Sequence, residues 1–262
     1  MDLTLYQVDA FASRQFEGNP AAVCPLDKWL PDSIMQAIAN ENNLAETAFF
    51  VPEGEGYRIR WFTPLMEVDL CGHATLASAW VLFHLLDYHG DSIRFNSRSG
   101  TLMVKRDEEE LVLDFPAQPP VPCDTPAEIT GAFNNTIAEC LRSEDYIVIF
   151  KNEQDVKAAK PDLILLEKLD LRGVIITAPS HQYDFVARFF APRYGIPEDP
   201  VTGSAYTQLA PYWENRLGSK KFRVKQLSQR GGQLSCRVVN NRVHIWGRAV
   251  LYMEGKIRID SF

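Results

Sequence analysis

The chain lacks the signatures by which most enzyme chemistry is recognised. It contains no G-x-G-x-x-G dinucleotide loop, no Walker lysine loop, no H-E-x-x-H helix and no G-x-S-x-G nucleophile elbow. It is also short of positive charge: 27 Lys and Arg stand against 34 Asp and Glu, a net charge of -7. That argues against a general binder of nucleic acid or anionic membrane, both of which demand a basic surface. No apolar run approaches the roughly 20 residues that a membrane span needs. Met1-Asp2-Leu3-Thr4 has neither the basic nor the apolar region of a signal peptide, so the expected compartment is the cytoplasm. The five cysteines, at 24, 71, 123, 140 and 236, show neither a disulfide framework nor a C-x-x-C metal spacing. With redox and phosphate motifs absent, cofactor-free proton transfer is the chemistry left to expect, with no metal.

What the chain does have is one glycine motif twice. Val68-Asp69-Leu70-Cys71-Gly72-His73-Ala74-Thr75 is echoed by Asp199-Pro200-Val201-Thr202-Gly203-Ser204-Ala205-Tyr206, and Gly72 and Gly203 are 131 residues apart in a chain of 262. The echo continues at an offset of 132. Ser99-Gly100-Thr101-Leu102-Met103-Val104 matches Gly231-Gly232-Gln233-Leu234-Ser235-Cys236, and each stretch reads as the first strand of a hairpin. A period this long means duplication of a domain and not a repeat array.

The expected architecture is α+β, with two pseudo-symmetric domains, each a curved and mostly antiparallel sheet or barrel around a central helix. The first domain is expected over residues 1–116 and the second over 123–262, with the last strand possibly returning to the first domain. The linker is 117–122, in a stretch with four prolines in seven residues that should form an extended strap. Strands are expected near 3–10, 21–24, 47–51 and 57–62, and a helix at 31–42. Residues 73–86 are apolar nearly all round, the pattern of a buried helix. In the second half, helices are expected at 127–141, 155–160 and 205–217, the last containing Pro211, with strands at 146–150, 174–178, 184–190 and 222–229.

A helix N-terminus has backbone amides without intrahelical partners and a partial positive charge, so it binds carboxylates without Lys or Arg. Glycine there admits the ligand to the backbone. Gly72-His73 and Gly203-Ser204 are therefore candidate anion nests, or else tight caps of two core helices. His73 would be held neutral by the helix dipole. Asp199 would be kept ionised by its helix, as an acid/base group or as a cap. Glu46, the one carboxylate in Asn43-Leu44-Ala45-Glu46-Thr47-Ala48-Phe49-Phe50, is either a solvated strand-edge residue or a buried base with a raised pKa.

Taken together, Val8-Asp9-Ala10-Phe11, Gly18-Asn19-Pro20-Ala21-Ala22-Val23, Asn43-Leu44-Ala45-Glu46-Thr47, Phe62-Thr63-Pro64, Gly72-His73-Ala74-Thr75 and Asp199-Pro200-Val201-Thr202-Gly203-Ser204-Ala205 resemble the phenazine-biosynthesis (PhzF-like) isomerase family, whose fold is shared with diaminopimelate epimerase. The resemblance spans nearly the whole chain. It implies a site in the cleft between two barrel-like domains, a homodimer, and proton transfer on a small carboxylate without metal or coenzyme. It places the acid/base glutamate on Glu46, assisted by His73 and Asp199, with Gly72, Gly203, Ser204 and Cys71 binding substrate. Cys71 stands where related epimerases have one of two catalytic cysteines, but Pro200 occupies the second place, which argues against a two-thiol racemase. Tyr206 stands where many relatives have histidine. One-base epimerisation, a hydro-lyase reaction and a non-catalytic ligand-binding role are the alternatives.

Overall fold

Parallel neighbours cannot be joined by a tight turn, so wherever two strands run parallel a crossover must lie between them. In the computed structural model, which describes residues 1–260, that rule accounts for the placement of the main helices. The first half holds β1 (Asp2–Ala10), β2 (Asn19–Pro25), α1 (Asp32–Asn42), β3 (Glu46–Glu53), β4 (Gly56–Phe62), β5 (Glu67–Val68), α2 (Gly72–Leu85), β6 (Ser92–Ser97), β7 (Gly100–Asp107) and β8 (Glu110–Pro116). Strands β2 and β3 are parallel and α1 connects them; β4 and β6 are parallel and α2 lies between them in the chain. The pairs β1–β2, β3–β4, β6–β7 and β7–β8 are antiparallel.

The second half repeats this order of pairings. It holds β9 (Val121–Pro122), α3 (Ala127–Ala132), β10 (Ile137–Arg142), β11 (Tyr146–Phe150), α4 (Glu153–Ala158), α5 (Leu163–Leu166), β12 (Val174–Pro179), β13 (Phe185–Ala191), β14 (Ile196–Asp199), α6 (Tyr206–Leu217), β15 (Lys221–Gln226), β16 (Gly232–Val239) and β17 (Arg242–Gly247). Again there are two parallel pairs: β11–β12 across α4 and α5, and β13–β15 across α6. The pairs β10–β11, β12–β13 and β15–β16 are antiparallel. The duplication seen as a glycine echo is thus carried by the hydrogen-bonding order itself.

The chain divides into two units, Met1–Asp114 with the segment from Trp246 onward, and Phe115–Ile245. The last strand, β18 (Ala249–Arg258), belongs to the first unit and pairs antiparallel with β1, from Asp2↔Arg258 to Ala10↔Ala249. The proline-rich segment lies in the second unit, tied down by backbone hydrogen bonds. The Ala117 amide donates to Asn241 O at 2.9 Å and that of Gln118 to Thr207 O at 2.9 Å, and β9 pairs with β10.

In the first unit the sheet has two apolar faces. Phe49 and Val51 of β3 pack with Phe62 and with Met35, Ile38 and Ala39 of α1. Strand alternation then turns Glu46 and Ala48 to the other face, the side of α2. Helix α2 buries eleven of its fourteen residues, which is why it is apolar all round, and it packs on β1, β2 and β3. In the second unit α6 buries every residue from Tyr206 to Trp213; Trp213 stacks on Phe185 at 5.2 Å and donates to Thr177 Oγ1 at 3.2 Å.

Two expectations fail in the second half. The helix expected over 127–141 stops at Ala132, and 137–142 is strand β10. Gly131 and the Asn134-Asn135 pair interrupt the helical run, and pairing with β11 decides the rest. The short helix near 155–160 runs instead over Glu153–Ala158, because the Asn152 side chain caps it by accepting from the Asp155 amide. No helix among the described residues is long and apolar enough to cross a membrane.

Candidate active site

The hairpin from β1 to β2 carries the first component of the site. Asp9, buried, accepts the Phe16 amide at 2.9 Å and so pins the connecting loop, and Gly18 closes it at φ +67°, in left-handed space. A Cβ at Gly18 would meet Ala10 O at 2.1 Å, so the backbones approach too closely there for any other residue. The register then sets Asn19 opposite Ala10, while Ala21 lies opposite Glu46 in the parallel pair β2–β3. Asn19 and Glu46 therefore share the face that looks on α2.

His73, the second residue of α2, comes in between them. Asn19 Nδ2 donates to His73 Nδ1 at 3.1 Å, which leaves the ring proton on Nε2, and Nε2 lies 3.2 Å from Glu46 Oε2. The alignment of that second contact falls outside hydrogen-bond geometry. Both side chains are almost fully buried, at 5% and 10% exposure. Burial pushes the His73 pKa down to about 3, so the imidazole is neutral across the physiological range. The expected neutral histidine is present, and desolvation is the cause found for it in place of the helix dipole.

Cys71 is the N-cap of α2, in extended conformation and with no side-chain cap hydrogen bond. Its Sγ is 3.5 Å from His73 Nδ1. The first acceptor inside the helix serves Thr75, whose amide bonds Cys71 O at 3.2 Å, so the amides of Gly72, His73 and Ala74 precede the intrahelical ladder. Glu46, Cys71 and His73 each present a metal-ligand type of atom within 4.8 Å of the others. Within this cluster His73 faces Asn19 on one ring nitrogen and Glu46 on the other.

In the second unit the expected residues also gather. Asp199 ends β14, is buried, and accepts from the Thr202 hydroxyl. Gln226 braces this corner: Nε2 donates to Asp199 O at 2.8 Å, and Oε1 accepts the Thr202 amide at 3.0 Å and the Tyr206 hydroxyl at 3.2 Å. Gly203 opens a 3-10 turn, Gly203–Ala205, that runs into α6, so the second nest is wound more tightly than the first. Ser204 Oγ accepts from Arg172 Nη1 at 3.0 Å, and Arg172 also grips Asp145 through Nε at 2.9 Å and Nη2 at 2.6 Å.

Three of these partners went unassigned from sequence. Asn19 was visible only as part of a turn motif, 54 residues from His73. Arg172 sits among ordinary charged residues. Trp61, paired with Ala48 and so on the Glu46 face, is 1% exposed and its Nε1 has no hydrogen-bond partner among the described residues. Strand register alone reveals it.

A two-unit mixed α+β fold, with a helix inside each sheet, is the epimerase-like fold. A hydroxyproline epimerase of Agrobacterium vitis, solved with trans-4-hydroxy-L-proline bound, shares it at a TM-score of 0.67 over 99% of this chain and 93% of that one, with 9% identity. The chain belongs to the phenazine biosynthesis-like protein family, whose model matches residues 8–255. It is 53% identical over 259 residues to an uncharacterized isomerase of Pseudomonas aeruginosa, covering 99% of this chain and 100% of the relative. A PhzF-family phenazine biosynthesis protein of Enterococcus faecalis, known from its crystal structure, superposes at a TM-score of 0.96 with 47% identity, over 99% and 100% of the two chains.

Proposed function

We propose that the chain is an isomerase that takes a proton from carbon in a small carboxylate substrate and returns it at a second position. The observation that carries this reading is the buried approach of His73 Nε2 to Glu46 Oε2 at 3.2 Å beside an uncapped helix start. Glu46 acts as the base: it accepts the proton while the C–H electron pair passes into an enolate-like system. His73 Nε2 lies beside Glu46 Oε2, where its proton can donate once the pair comes into line. The amides opening α2 are assigned to the developing negative charge, since fixed dipoles in a dry site need no reorganisation. Protonated Glu46 then gives the proton back at a second carbon, which shifts a double bond. The step uses only groups the chain supplies. Of the second unit, the reading assigns Asp199 as a further acid/base group and Gly203 and Ser204 as donors to substrate oxygen.

The relatives named as isomerases support this reading at the level of reaction class. The test is solvent deuterium incorporation: wild type and Glu46→Gln are incubated in heavy water with a panel of amino, hydroxy and unsaturated cyclic acids, and mass shifts are read. Label entering one acid with wild type and not with Glu46→Gln supports the proposal and gives the substrate class. Thermal shifts by some acids with no label in any of them would replace it with a ligand-binding role.

A further inference from the structure

Two cysteines outside the Glu46 cluster stand side by side. Cys123 follows β9 directly, and the register Leu141↔Pro122 carries on to set it across from Cys140 of β10. The Cys123 amide donates to Cys140 O at 3.0 Å, and the two Sγ atoms are 3.7 Å apart. Strand neighbours bonded in this way have Cα atoms about 5.5 Å apart, inside the roughly 4.4 to 6.8 Å that a disulfide spans. Their sulfurs are in van der Waals contact, so small side-chain rotations bring them to bonding distance with the backbone ladder intact.

The two thiols differ in access. Cys140 is buried in the second unit's core with Ile129, Phe133 and Tyr146, while Cys123 packs against that core and is only partly covered. Burial and the neighbouring Cys123 sulfur push the Cys140 thiol up to about 12. Cys123 is thus the one that an oxidant in solution reaches, and Cys140 the one waiting behind it.

We propose that Cys123 and Cys140 are an oxidative modification site, closing to an intramolecular disulfide when the protein meets a peroxide. The Cys123 sulfur attacks a peroxide oxygen and the O–O bond breaks, giving water and a sulfenic acid on Cys123. The Cys140 sulfur then attacks Cys123 sulfur; the S–S bond forms, the S–O bond breaks and a second water leaves. Two thiols lose two electrons and two protons, and one peroxide is reduced to two waters. A small-molecule dithiol reverses the change. The closed bond staples the proline-rich segment to β10 and encloses α3 in a covalent loop.

The experiment uses the full chain. It is treated with one equivalent of hydrogen peroxide and analysed by non-reducing peptide mapping, with thermal melts before and after dithiothreitol. The expected result is a mass loss of two hydrogens, one peptide joining Cys123 to Cys140, and a melting temperature raised by roughly 5 °C, reversed by dithiothreitol. Cys140→Ser should instead stop at a Cys123 sulfenic acid that dimedone traps. Cys24, Cys71 and Cys236, all buried, are the internal controls. Oxidation of Cys71 without the 123–140 peptide, a disulfide between two chains, or over-oxidation of Cys123 in wild type with no cross-link would each overturn the proposal. Wild-type mapping decides the matter even where a variant does not fold, and none of these readouts depends on the isomerase reading.

Discussion

Asn19 Nδ2 donates to His73 Nδ1 at 3.1 Å, and this one bond fixes which nitrogen of the imidazole carries its proton. Because Nδ1 is an acceptor, Nε2 holds the hydrogen, and it is Nε2 that meets Glu46. The tautomer is thus set by a residue 54 positions away in the chain. Asn19→Leu should leave the fold in place and mix the two tautomers. Nitrogen NMR of labelled histidine would show a single Nε2–H form in wild type and both forms in the variant. Turnover should fall by about 10- to 100-fold, less than the roughly 10²- to 10⁴-fold that a proton-transfer group itself supplies.

Glu46→Gln keeps the shape of the side chain and removes its basicity. Turnover should fall about 10²- to 10⁴-fold, with ligand affinity changed little. Calorimetric titration with the acid that takes up deuterium would separate the two effects.

His73 makes stability depend on pH in a definite direction. Its folded pKa of about 3 lies below the ordinary 6.5, so between those values the unfolded chain binds a proton that the folded chain refuses. Stability therefore rises with pH across that window, and its contribution is lost progressively as pH falls below 6.5. At pH 5 the cost is about 2 kcal/mol relative to pH 7. Urea unfolding of wild type and His73→Gln at both pH values should show that the variant lacks this part of the slope.

Arg172 neutralises Asp145, which is fully buried and also bonded by Gln208 Nε2 at 2.6 Å. Arg172→Met would strand that carboxylate and should destabilise the protein by about 3 kcal/mol, with Arg172→Lys recovering only part because it cannot make the two-pronged contact. A denaturant series on both variants checks the order.

Gly18→Ala faces two penalties at once, positive φ and a backbone oxygen 2.1 Å from the new Cβ. The expected loss is about 2 kcal/mol or more. The hairpin can relieve the clash only by moving Asn19, so the variant should also show the mixed histidine tautomers of Asn19→Leu.

How much of this was legible depends on whether the information is local. Helix α2 could be read because an apolar face all round has one physical meaning, and the two halves could be matched because glycine and hairpin signals recur at one offset. The stretch 127–141 misled because Ala, Glu and Ile suit a helix locally, while pairing with β11, supplied by residues 146–150, makes its second part a strand. Site membership divides in the same way. Glu46 and His73 lie in recognisable motifs, whereas Asn19 meets His73, and Trp61 shares the Glu46 face, only through register, a property of which strands become neighbours. Arg172 reaches Ser204 across 32 residues and leaves no pattern in either neighbourhood.

The return of β18 to β1 gives the two units different histories during synthesis. Residues 115–245 emerge as one unbroken stretch and can assemble their sheet as soon as they leave the ribosome, while β1 has only β2 beside it until residue 249 and beyond arrive. A nascent chain paused in that interval carries an open strand edge on its earlier-made half, the kind of surface that pairs with other chains unless it is shielded. The half made first is the half completed last.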